Sequence, residues 1–181
     1  MNKKLLAVAV AGLGLMGISK SASALNYANA VLNVSVTGDL SMSIVGSAET
    51  TLAAVAPGGS SVSGSGIVLL NDSAGILETF SLKGFDSGSW LLKDAPGNSQ
   101  MALQALFNSA APASGDFSAP GDSINLTDKK AAVGIFDGNQ SGAGVLPTET
   151  RTVWFKFLAP TVTNSFGARQ LTVSIVANLA D

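Results

Sequence analysis

The chain has 181 residues, of which 46% are hydrophobic, 12% charged and only 6% aromatic, with neither cysteine nor histidine. Charged residues make up about 25% of an ordinary soluble chain, so the polar surface here must come from Ser, Thr, Asn and Gly. Without imidazole or thiol the chain cannot build a Ser-His-Asp triad, a thiolate zinc site or a disulfide, and it offers no reaction centre on which an enzyme could be argued.

The first segment reads as an address. Lys3 and Lys4 precede an apolar run from Leu5 to Ile18, and Ser21-Ala22-Ser23-Ala24 ends in small residues. This is the layout of a secretory signal peptide with cleavage after Ala24. The run is shorter than the roughly 20 residues a membrane helix needs. Residues 25–181 are then expected as one secreted domain at the cell surface or in the extracellular space. That part keeps all twelve acidic residues and loses three of the ten basic ones, giving a net charge of −5. It has no basic cluster beyond Lys129-Lys130, so nucleic acid is not an expected partner, and no membrane contact is expected once the leader is gone.

The remainder reads as strands. Ala28, Ala30, Leu32, Val34 and Val36 alternate with Asn29, Val31, Asn33 and Ser35, and such alternation marks a half-buried strand. Shorter candidates follow at Ser41–Val45, Thr51–Val55, Gly66–Leu70, Ile76–Leu82 and Ser89–Lys93. Pro57-Gly58-Gly59 and Asn71-Asp72-Ser73-Ala74-Gly75 supply turn chemistry between them. Asn98–Phe107 reads instead as a short helix, because Asn98 or Ser99 can cap it and Met, Ala, Leu and Gln favour helix. Ala110–Asp128 reads as a long crossing loop. Ala131–Phe136 and Arg151–Leu158 are strand candidates, and Leu171–Leu179 closes the chain with apolar odd positions. The expected fold is all-β, an antiparallel β-sandwich (Ig-like or jelly-roll-like) with one short helix.

Candidate sites are few. Asp137, Asn139 and Ser141 place oxygens at alternate positions before Gly142, which resembles the opening of a calcium loop. The twelfth position is Thr148 rather than an acid, and the same residues also suit a plain Gly/Asn turn. Calcium is therefore the one cofactor to consider, with no other implied. Asp116, Asp122 and Asp128 form a second set of oxygens in the crossing loop. Trp90 and Trp154 are candidates either for core packing or for a platform that stacks sugar rings. On the 153–158 strand, Val153, Phe155 and Phe157 share one face while Trp154 and Leu158 share the other, so the strand is covered twice or presents an apolar patch to a partner.

These features, from the leader through the alternating strands to the terminal Leu171–Leu179 strand, resemble in composition and patterning the bacterial surface and fibre subunits. Chaperone–usher pilins, spore-coat-U-like secreted proteins and β-sandwich fibre proteins of biofilms are families of this style. The resemblance implies a non-catalytic structural subunit whose partners are other copies of itself. Ala28, Ala30, Leu32 and Val34 would serve in terminal-strand exchange unless the Ala28–Val36 strand pairs within its own sheet, and Trp154 and Leu158 would serve in lateral contact. The alternative expectation is a secreted module that binds surface glycans.

Overall fold

The structure, a computed structural model, describes residues 39–181. The Ala28–Val36 strand and the leader therefore lie outside the described residues. Among the described residues there are nine strands, β1 (Met42–Val45), β2 (Ser60–Val62), β3 (Ile67–Asn71), β4 (Glu78–Gly84), β5 (Leu91–Leu92), β6 (Gln100–Phe107), β7 (Lys129–Lys130), β8 (Thr150–Leu158) and β9 (Val173–Leu179). They form two packed sheets. The larger has the order β1-β3-β8-β6-β5, and the smaller has the order β7-β4-β9. Every pairing is antiparallel except β5 with β6, which is parallel.

β8 is the spine of the larger sheet. One of its edges pairs with β6 from Val153 to Leu158. The other is shared, with β3 against Thr150–Val153 and β2 against Lys156–Leu158. Gly66 makes the step between β2 and β3 possible. A Cβ there would lie 2.3 Å from the Thr152 methyl and 2.9 Å from the Trp154 indole, closer than any side chain tolerates.

The core follows from the period of two. Ile67 and Leu69 of β3, Met101, Leu103, Ala105 and Phe107 of β6, and Val153, Phe155 and Phe157 of β8 point inward. They meet Phe80 and Leu82 of β4. The Phe80 and Phe107 rings sit 6.1 Å apart across the interface.

The helix expected over Asn98–Phe107 is not formed, and β6 takes its place. Seven of the eight β6 residues are buried, because the strand is covered on both faces. That burial outweighs the small helix preference of Met, Ala, Leu and Gln. Ser99, proposed as a helix cap, has a positive φ of 52° in the turn before the strand. Among the described residues the one helical element is a single 3-10 turn at Ser114–Asp116. Two other strand expectations fail. Thr51–Val55 contributes only a Leu52–Ser63 bridge, and Ala132–Ile135 is a tight turn that follows the two-residue β7.

Candidate assembly surface

The crossing loop decides the fate of the outer face of β8. Phe117 packs with Leu106 and Trp154 in a small second cluster, with Val62 at its margin. The Trp154 Nε1–H donates to the Asn108 carbonyl at 2.9 Å. Trp154 is thus buried within its own chain. Leu158 is half-buried at the end of β8, opposite Ser60 on one side and Ala102 on the other.

Trp90 is also engaged. Its ring stacks on Phe157 at 5.9 Å and 20°, the Arg169 guanidinium lies 4.4 Å from its centroid, and its N–H donates to the Thr163 hydroxyl. The two tryptophans accordingly lie in separate environments, one beneath the crossing loop and one beside Arg169.

The loop carrying Asp137, Asn139 and Ser141 fastens the end of β6. Asp137 Oδ2 accepts from the Gly134 N–H, Asn139 Oδ1 from the Ser109 N–H, and the Ser141 hydroxyl oxygen from the Ala143 N–H. The Asn139 N–H donates in return to Asn108 Oδ1. Gly142 lies against the buried Phe107 ring, where a Cβ would come within 2.3 Å of a ring carbon. Backbone fastening and ring packing thus account for each residue of this motif. In the crossing loop, Asp116 accepts from the Ala113 N–H and Asp122 from the Ser118 N–H and hydroxyl, while Asp128 is exposed. Among the described residues no three acidic side chains are grouped to hold a metal ion.

A feature that residue patterns did not reveal lies along one side of the sandwich. β1 ends the larger sheet and β9 ends the smaller, and a groove of about 680 Å³ runs between them. Ile67, Leu103 and Phe155 lie at its base, with Met42 and Ile44 on one wall and Val173 and Ile175 on the other. A second recess of about 440 Å³ holds Trp90, Phe157 and Phe166. Leu52, Arg169 and Leu171 border both recesses, so the two adjoin. No residue of β1 or β9 is fully buried, although Val173, Ile175 and Ala177 pack against the core.

The edges differ in chemistry. β7 presents Lys129 and Lys130 on a two-residue strand, and β5 is equally short. β9 is seven residues long and reads Val-Ser-Ile-Val-Ala-Asn-Leu, with no charge and no proline. Proteins normally blunt such an edge with a lysine, a proline, a bulge or a covering segment. Beyond it Lys130 Nζ pairs with Asp181 at 2.8 Å and the Ala180 N–H donates to the Leu77 carbonyl.

At the pole where β1 begins and β9 ends, Glu78 is fully buried. Its Oε1 accepts from the Ser41 N–H at 2.8 Å, and burial pushes its carboxyl above the usual range. Asp122 is raised for the same reason. Against this geometry, no protein-family model matches the chain, and no curated protein is significantly similar to it.

Proposed function

We propose that this chain is a non-catalytic structural subunit of an extracellular filament or cell-surface layer, exported by its leader and assembled from copies of itself. The observation that carries the reading is the open side of the sandwich, where an apolar groove runs beside an uncharged seven-residue edge. Main-chain pairing at an exposed edge supplies affinity, and alternate side chains set register. A head-to-tail contact of that kind does not close on itself and so propagates. The low charge of the chain reduces repulsion between stacked copies.

Electron microscopy of the exported protein tests the reading directly. Filaments or sheets of regular repeat are expected from the purified chain, and a chain that stays monomeric at every concentration and pH overturns it. The glycan-binding alternative draws no support from the tryptophans, because Trp154 is covered by the crossing loop and Trp90 is engaged by Phe157 and Arg169.

A further inference from the structure

We infer that the recess beside Trp90 binds a single-tailed carboxylate amphiphile of the fatty-acid class, with its head group on Arg169 and its tail on the apolar lining. This site does not depend on the self-assembly reading.

The first observation is a cation without an anion. Arg169 lies between β8 and β9, and its guanidinium is 4.4 Å from the Trp90 ring centroid. Its Nη1 donates to the Ser87 carbonyl at 3.0 Å, and its Nη2 donates to the Ser89 and Ser165 hydroxyls. All of these partners are neutral. The ion pairs among the described residues are Lys130–Asp181 and Arg151–Glu149, and neither includes Arg169. Its Nε–H is buried and has no acceptor. Folded proteins leave few buried donors unmet. A guanidinium receives a carboxylate on two N–H groups at once, and such paired, charge-assisted bonds are the strong ones. Nε and Nη2 form one edge of the group, and a carboxylate on that edge takes the place of the Ser165 hydroxyl at Nη2.

The second observation is the lining. The recess of about 440 Å³ is of the size that holds small molecules. The stacked Trp90 and Phe157 rings form one part of it, Leu52, Val55 and Leu171 line it further, and Phe166 is 75% exposed beside them. Arg169 is the one charged side chain in this lining, and Thr163 and Ser165 are its other polar side chains. An occupant must then be apolar over most of its surface and carry a single negative charge. A sugar would bring hydroxyls that such a lining leaves unpaired, at a cost in free energy.

The third observation sets the direction of the tail. Leu52, Arg169 and Leu171 also border the neighbouring groove, which has Ile67, Leu103 and Phe155 at its base. A tail longer than the recess therefore continues over apolar surface, and burying it is the favourable term. Glu49 lines the groove and not the recess, so the acidic head belongs at Arg169 and a second acid on the ligand is disfavoured.

Titration calorimetry of the purified full chain tests the site with three probes that share one tail, namely decanoate, decanol and decyltrimethylammonium, each below its aggregation threshold. Saturable binding of decanoate is expected, at least about tenfold tighter than decanol, with the cationic probe weakest. Arg169→Gln is expected to bring decanoate to the level of decanol while decanol itself binds as before, and Arg169→Lys to restore most of the preference. No saturable binding of decanoate overturns the proposal, as does equal affinity for decanoate and decyltrimethylammonium. An Arg169→Gln chain that keeps wild-type affinity for decanoate overturns it too. Should Arg169→Gln fail to fold, the order of the three probes on the wild-type chain decides. Adsorption to phosphatidylglycerol vesicles with no binding of monomeric decanoate would mark a lipid-surface patch instead and overturn the site.

Discussion

Lys129 shows how one side chain can organise a segment that has no regular structure. Its ammonium donates to the carbonyls of Pro120, Gly121 and Ser123 and lies 5.1 Å from the Phe136 ring centroid. The cation thus occupies a nest of oxygens and aromatic face, and burial lowers its pKa while the Asp122 charge opposes that shift. Trp154 does comparable work on the opposite face of the larger sheet. Trp154→Ala is expected to cost about 3–5 kcal/mol of stability, read from the denaturant midpoint, because the indole fills the space beneath the crossing loop. A surface Trp that met only other subunits would leave monomer stability almost unchanged, so the measurement separates the two roles. Glu78 gives a pH dependence whose sign is fixed by its burial. A carboxyl whose folded pKa is raised contributes stability at acid pH, and that contribution is lost as pH rises through the raised value. Stability should therefore increase as pH falls from neutral toward the ordinary carboxylate range. Glu78→Gln should flatten that slope in a series of thermal melts. Asp122 contributes in the same direction, while Asp72 and Glu149, whose pKa values are lowered by hydrogen bonds, act oppositely only in stronger acid.

At the scale of elements, β9 with its wet face was readable and β6, buried on both faces, was not, although β4 is nearly as buried and its Ile76–Leu82 expectation held. Leu171–Leu179 alternates cleanly, and β9 lies where that alternation puts it. Val153, Phe155 and Phe157 were correctly assigned to one face because β8 keeps Lys156 on the other. β6 hid its period, since Ala102 and Leu106 face the crossing-loop side while Met101, Leu103, Ala105 and Phe107 face the core. Two apolar faces erase the alternation that identifies a strand, and composition then favours helix. The 137–142 loop left two readings open for a related reason. Asp, Asn, Ser and Gly serve both metal loops and tight fastening turns, and only the Phe107 ring beneath Gly142 explains the glycine. Gly142→Ala should cost about 1–3 kcal/mol through overpacking against that ring. Added calcium is expected to leave the melting temperature of the wild-type chain unchanged.

For the whole molecule, the open side could not be read from patterns, because it depends on which two strands end the sheets. β1 and β9 are separated by most of the described chain, and only the strand order puts them on either side of one groove. The outward chemistry of β9 was in the sequence all along, as seven uncharged residues. Its position as an edge was not. A chain that stops after Gln170 would leave Phe80 and Leu82 with no strand on that side of β4, and calorimetry of it should show no cooperative transition.

β8 and β9 also bear on the order of events during synthesis. β3 finds its partner in Val153, and Glu78 at the start of β4 faces Leu179, two residues from the C-terminus. Beyond the local β1–β3 ladder, the N-terminal half of the described domain therefore has few sheet partners until β8 and β9 have been made. Native pairings so distant along the chain make for slow, late folding and a prolonged exposure of sticky intermediates.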